Sequence, residues 1–169
     1  MTLFVLLAFS LSTTVSADIV VTDDAGRRVT LEQPARRIVS LAPYITELLF
    51  AAGAGAALVG VSEFSDYPAA ARGIQRIGGG GGLDLEAIVA LRPDLVIAWQ
   101  SGNPTGQVAR LQALGLSVYL SEPRQLGDVS QTLRRLGVLA GTEAVAEAGA
   151  DLFDRRQRQL QRKYAGLPA

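Results

Sequence analysis

From residue 38 onward the chain alternates between two hydrophobic patterns. Short, β-branched apolar runs fall at 38–41 (Ile-Val-Ser-Leu), 58–61, 95–98 and 116–120, and each reads as a strand. Between them, apolar residues recur every three or four positions. Over 44–52 Ile45, Leu48, Leu49 and Ala52 share one face before Gly53. Residues 84–91 start at a capping Asp84 and end at Arg92-Pro93-Asp94, 107–114 stop at Gly115, and 126–140 align Val129, Leu133, Leu136 and Leu139 before Gly141. These are helices with their usual stops. Ahead of them, the β-rich runs 19–21 and 28–31 flank Asp23-Asp24-Ala25-Gly26 and predict a hairpin. Strand–helix alternation of this kind predicts an α/β fold, a mainly parallel sheet with helices on both faces and right-handed crossovers. The unbroken run 95–98 predicts a strand buried on both sides. A last helix, capped by Thr142 and running to Tyr164, has Gly149 as its one internal breaker and spans roughly 34 Å.

The first residues follow a different pattern. Residues 3–11 (LFVLLAFSL) are continuously apolar, a polar stretch follows, and Val15-Ser16-Ala17 has the small-residue spacing of a cleavage site. So short an apolar run reads as a signal peptide over 1–17, and not as a membrane span. The expected product is exported, with no lipobox cysteine to anchor it.

Composition narrows the chemistry. The 169-residue chain contains no Cys and no His, and 16 Lys+Arg balance 16 Asp+Glu. Disulfides, Cys-ligated metals and histidine general bases are excluded within it. A zero charge balance argues against nucleic acid as a partner. The last helix sorts its charges, with Glu143, Glu147, Asp151 and Asp154 ahead of Arg155, Arg156, Arg158, Arg162 and Lys163. That order complements the helix dipole and reads as a solvated face.

Ligands of open parallel sheets sit at the carboxyl ends of the strands. Here that rule selects residues 42–44, 62–83, 99–106 and 121–124, and aromatics gather in them: Tyr44, Phe64, Tyr67 and Trp99. Flat rings on a rim suit a large ligand held by contact area. The 62–83 segment is too long for a plain connection and contains five consecutive glycines, 78–82. A phosphate cradle would need a following Lys-Ser/Thr, which is absent; a flexible wall beside a bulky ligand is the expectation. The rim carboxylates Glu47, Glu63, Asp66, Glu86 and Glu122 show no spacing that fixes a catalytic pair, and Glu86 stands in the first turn of its helix, where the dipole favours it.

The ordered segments Arg37-Ile38-Val39-Ser40-Leu41-Ala42-Pro43, Thr46-Glu47-Leu48-Leu49-Phe50-Ala51-Ala52-Gly53, Val59-Gly60-Val61-Ser62, Ser65-Asp66-Tyr67-Pro68 and 85–99 (LEAIVALRPDLVIAW) resemble the periplasmic metal-chelate binding proteins of ABC importers. The Asp-Tyr-Pro and Ile-Ala-Trp segments favour the cobalamin-binding members. The resemblance runs from about Arg37 to Leu167. It implies two α/β lobes joined by one long helix, with ligand clamped between them, and no enzymatic activity. It carries Tyr67 and Trp99 over as rings packed on a corrinoid, Pro43 and Tyr44 as the cleft floor, and Glu86 as the carboxylate that meets an arginine of the membrane permease. Near Gly80, where such members carry another ring, this chain has only glycine. No cofactor or metal is expected, the corrinoid being cargo.

The expected organisation is a signal peptide (1–17), an N-terminal binding lobe (18–141), an inter-lobe helix (142–165) and a truncated linker (166–169), with the second lobe missing. Alternatives are the same fold holding haem, a ferric siderophore or another chelate, an exported α/β enzyme using rim carboxylates, or an interaction module.

Overall fold

The computed structural model describes residues 17–79 and 81–165. The signal-peptide reading falls on residues outside that range except at Ala17, as do Gly80 and residues 166–169. In chain order the elements are β1 (Ile19–Thr22), β2 (Arg28–Leu31), β3 (Ile38–Ser40), α1 (Pro43–Ala51), β4 (Leu58–Val61), β5 (Gly78–Gly79), β6 (Gly82–Leu83), α2 (Leu85–Ala90), β7 (Leu95–Trp99), α3 (Thr105–Ala113), β8 (Val118–Ser121), α4 (Leu126–Ala140) and α5 (Glu143–Tyr164). Short 3₁₀ turns at Gly55–Ala57 and Ala69–Gly73 join β4 to its neighbours.

Strands β4, β3, β7 and β8 form one sheet in that order, every pair parallel. Alternation along each strand supplies both faces. Ile38, Leu95, Ile97 and Tyr119 join the core beneath α1, α4 and α5. Val39, Val96, Ala98 and Val118 join the core beneath α2 and α3, with Ile88, Val108 and Leu111. The buried strand expected at 95–98 is therefore β7, with Leu95, Val96, Ile97 and Ala98 all fully buried.

The β1–β2 hairpin packs Val21, Val29 and Leu31 into the first core. Its turn also closes the sheet's edge. Among the described residues no strand pairs beyond β8, and an open edge invites further pairing. The Asp24 amide donates to the Leu120 carbonyl (3.0 Å), the Leu120 amide to Asp23 (3.3 Å) and the Glu122 amide to Asp24 (2.6 Å). Asp23 is held in turn by Arg27, and Asp24 by Arg135.

Two expectations are corrected. The glycine run of the 62–83 segment is not a loose wall, because Gly78–Gly79 and Gly82–Leu83 form the β5–β6 ribbon, in antiparallel register Gly78↔Leu83 and Gly79↔Gly82. A Cβ at Gly78 would strike the Gly82 carbonyl oxygen, so the run permits a close backbone turn. The Leu83 amide donates to Gln107 Oε1 (2.9 Å) and the Asp84 amide to the Ile77 carbonyl (3.0 Å). Neither amide is free for a phosphate, and the wall is tied down by backbone pairing. Thr142 is also no side-chain cap: it holds the N-cap position of α5 with its hydroxyl buried and without a hydrogen-bond partner among the described residues. The expected Asp84 cap does form, its carboxylate accepting from the Ala87 amide at 2.9 Å.

Helices α4 and α5 cross closely because small residues meet there. A Cβ at Gly137 would collide with that of Ala146, and one at Gly149 would come within 3.2 Å of the Ala51 carbonyl oxygen. The breaker residue in α5 is thus where α1 approaches. Arg134 of α4 binds Glu147 (3.0 Å), Asp151 (3.0 Å) and Asp154 (3.5 Å), so the acidic half of α5 is its packed half. From Arg158 to Ala165 every residue is exposed.

Two outcomes follow from this packing. Gly137→Leu should force α5 off α4 and cost about 1–3 kcal/mol, read as a lowered urea midpoint. The second concerns Tyr119, fully buried with no hydrogen-bond partner for its hydroxyl among the described residues. Burial, partly offset by the nearby Arg135 guanidinium, pushes its phenol up to about 12. The unfolded phenol ionises near 10, so the stability present below pH 10 is lost as pH rises from about 10 to 12. Tyr119→Phe should flatten that part of the stability–pH curve and leave pH 7 stability equal or higher.

Candidate functional site

From β3 the chain moves outward through α1 to β4, then returns past β3 to β7 on its other side. Helix α1 leaves β3 over one face of the sheet, and α3 leaves β7 over the other. The crevice between them, outside the carboxyl ends of β3 and β7, is where open α/β sheets take ligands.

The residues at that crevice are Pro43 and Tyr44, opening α1, and Trp99, ending β7. The Tyr44 and Trp99 rings meet edge to face, with centroids 5.9 Å apart at 87°. The Tyr44 hydroxyl donates to the Ser121 carbonyl at 3.2 Å. Burial is the main cause that holds its phenol well above the usual range, so it stays a neutral donor. Trp99 keeps 40% of its surface exposed. Its orientation depends on a neighbour the sequence reading did not single out: a Cβ at Gly102 would lie inside the Trp99 indole, so the ring lies back on its own loop only because residue 102 is glycine.

Asn103 was likewise not singled out, and it joins the two strands. Its side-chain oxygen accepts from the Trp99 amide (2.7 Å), its side-chain nitrogen donates to the Leu41 carbonyl (2.9 Å), and its own amide donates to the Trp99 carbonyl (3.0 Å). It is buried. An Asn next to Pro104 reads as a turn in sequence; nothing local indicates that its amide reaches Leu41.

A second buried network fixes the segment after β4. Thr46 Oγ1 lies 2.9 Å from Ser40 Oγ and 3.1 Å from Ser65 Oγ, and Ser62 and Ser65 are hydrogen-bonded at 3.1 Å. Arg76 donates to the carbonyls of Ser62 (3.2 Å) and Ser65 (2.9 Å) and to Asp66 (2.9 Å). Tyr67 follows, 69% exposed, on a groove shared with Glu47, Leu48, Val129, Leu133 and Phe153. Val129 also lines the groove of Tyr44 and Trp99, together with Gln125 and Leu126 at the start of α4. The groove of Tyr67 and that of the Tyr44–Trp99 pair therefore meet at Val129. Leu126 further shares a groove with Phe153, Gln157 and Leu160, so α5 forms a side wall and its last turn extends past the rim.

Glu86 is placed elsewhere. It is exposed in the first turn of α2 and lines a separate groove with Asp84, Val89, Gln107 and Arg110. Of the other rim carboxylates, Asp66 is paired with Arg76, and Glu122 accepts from the Ser101 amide (3.0 Å) and hydroxyl (2.9 Å). Among the described residues, no group of three or more Asp or Glu side chains is arranged to hold a metal ion.

Comparison with known proteins gives this geometry a setting. The chain is 39% identical over 132 residues to the vitamin B12-binding protein of Vibrio cholerae, covering 78% of this chain and 48% of that one. It is 36% identical over 135 residues to that of Vibrio vulnificus, covering 80% and 50%. The chain spans about half the length of these curated relatives. Among solved structures, the periplasmic vitamin B12-binding protein BtuF of Vibrio cholerae superposes with a TM-score of 0.76 at 39% identity, covering 79% of this chain and 52% of that one. A periplasmic haem-binding protein from Pseudomonas aeruginosa gives 0.68 at 29% identity, covering 74% and 45%. The family described as "Periplasmic binding protein" matches residues 38–169, and the chain, with its parallel sheet and long final helix, belongs to that family.

Proposed function

We propose that this chain is the N-terminal lobe and connecting helix of the solute-binding component of an ABC importer, and that its cargo is cobalamin or a related corrinoid. The observation that carries this reading is the Tyr44–Trp99 ring pair at the strand crossover, with Tyr67 exposed on the groove that meets theirs at Val129. Such a surface gains from a broad, flat, largely apolar ligand and offers no reacting group to one. The names of relatives at 36–39% identity support the corrinoid over other chelates.

In this reading Pro43 and Tyr44 form the floor, and Tyr67 and Trp99 lie against the macrocycle. Gly102 and Asn103 hold Trp99 in place. Gly80, outside the described residues, is read as a ligand neighbour without a ring of its own. Glu86, exposed on a separate groove, would meet a cationic group of the permease; rim pairs of this kind set orientation and association rate more than affinity. The lobe would act in the periplasm after export, as a carrier and not as an enzyme, with no cofactor of its own.

Haem, which a structural relative binds, is the rival cargo. The chain has no histidine to serve as an imidazole axial ligand, leaving tyrosines such as Tyr67. Competition between cyanocobalamin and haemin for the same site decides the cargo, and preference for haemin would reverse the assignment.

One lobe covers one side of a ligand. Titration of Trp99 fluorescence with cyanocobalamin, corrected for inner-filter absorption, should therefore saturate with a Kd of about 1 μM or weaker; a flat trace would count against the corrinoid reading, and nanomolar affinity against the half-site. Gly102→Val should displace the indole and weaken binding about tenfold, with little change in the far-ultraviolet circular dichroism. Glu86→Gln should leave the cyanocobalamin Kd within twofold of wild type while reducing uptake by cells that depend on this protein; a matching loss of affinity would place Glu86 in the ligand site instead.

A further inference from the structure

The groove of Tyr44 and Trp99 has a single ionised side chain in its lining, Arg124, beside Pro123, Gln125, Leu126 and Val129. Arg124 is exposed, and among the described residues no carboxylate lies within ion-pair distance of its guanidinium. Carboxylates are nevertheless close at hand. Asp24, Glu122 and Asp128 line the neighbouring polar pocket, which Arg124 also borders. Each is engaged by another donor: Asp24 by Arg135 and the Glu122 amide, Glu122 by the Ser101 amide and hydroxyl, and Asp128 by the Arg124 and Gln125 amides at 2.8 and 2.9 Å. The Arg124 guanidinium is left as an unpaired charge on the boundary between a polar pocket and an apolar groove.

Its root is fixed. Pro123 restricts the chain just before it, and the Asp128 carboxylate holds its amide. Two residues earlier, the Ser121 carbonyl accepts from both the Tyr44 hydroxyl (3.2 Å) and the Gln100 amide (3.0 Å). The loop that leaves β8 is therefore tied to Tyr44 itself and to the residue after Trp99. A bulky cargo seated on those rings takes water from whatever lines the groove with them. Removing water from an unpaired guanidinium is unfavourable unless the cargo brings an anion to it. The groove thus selects a ligand that is apolar over most of its face and negative at its periphery.

We propose that Arg124 is a ligand-contacting residue that binds an anionic arm of the cargo, and that in a corrinoid this arm is the phosphodiester of the nucleotide loop. The inference rests on the corrinoid reading above. A guanidinium meets a phosphate through paired N–H···O bonds, which fix orientation as well as adding affinity. Arg124 therefore sets which edge of the macrocycle lies toward β8.

The test compares cyanocobalamin with dicyanocobinamide, which keeps the corrin ring and lacks the phosphodiester. Arg124→Gln should weaken cyanocobalamin binding about fivefold to tenfold and change dicyanocobinamide binding by less than about twofold. Arg124→Lys, which keeps the charge and loses the fork, should fall between wild type and the Gln variant. The guanidinium has no hydrogen-bond partner among the described residues, so Tm should stay within about 1 °C of wild type in both variants. Equal weakening of the two ligands overturns the proposal, because Arg124 would then shape the groove instead of holding the phosphate. Unchanged cyanocobalamin affinity in Arg124→Gln, with wild type binding normally, overturns it and leaves the corrinoid reading standing, whether or not uptake falls. No binding of cyanocobalamin by the wild-type chain removes the corrinoid reading, and this proposal with it.

Discussion

The side-by-side packing of β3 and β7 is the constraint on which the rest depends. Their parallel register, Ile38↔Leu95 through Ser40↔Ile97, brings together two strands separated in sequence by two helices, a strand and the glycine ribbon. Because both are buried on both faces, the helices that follow them must diverge to cover opposite sides, and the crevice opens where they part. Asn103 fixes the width of that opening by bonding to the ends of both strands at once. Tyr44 and Trp99 can then meet at a set distance and angle. Without the register the two aromatic residues would belong to unrelated loops.

Much of this arrangement is legible in the sequence, for identifiable reasons. The strands are short and unbroken, and the helices carry their own stops, so the pattern locates β2, β4 and α4 to the residue and the other elements, the β5–β6 ribbon apart, to within about two positions. Trp99 is legible because a rim residue must follow when a buried run ends. The supports are a different matter. Gly102 acts by leaving room for a ring three residues away. Asn103 and the Ser40–Thr46–Ser62–Ser65 hydroxyls act across distances in sequence that periodicity does not address. The β5–β6 ribbon is hidden for another reason: glycine has no side chain with which to show alternation, so a paired segment looks like a loop. Thr142 failed as a cap because position alone does not aim a hydroxyl.

Rigidity is distributed unevenly, and the distribution follows the chemistry. The rim at the carboxyl ends of the strands is held by side chain–backbone hydrogen bonds, through Asn103, Arg76 and Gln107. Such contacts fix loops without requiring the rings above them to be buried. The back of the lobe is held by apolar packing and by the contact of Gly137 with Ala146. A rim stabilised by burying its own aromatics would have none left to offer a ligand.

The long helix shows how the two regions connect. Its first half is bound to α4 by small-residue packing and by Arg134, which contacts three carboxylates in succession. Its second half keeps Leu160 and Tyr164 exposed beside basic residues. Exposed apolar residues on a helix that is firmly seated at one end have packing capacity to spare, and they extend the apolar surface that already runs from Trp99 past Leu126 to Phe153. The segment matched in the curated relatives makes up about half of their length. The helix is fixed along its acidic half, where Arg134 and the Gly137–Ala146 contact hold it to α4, while in its basic half every residue from Arg158 to Ala165 is exposed, so the two halves differ in what restrains them.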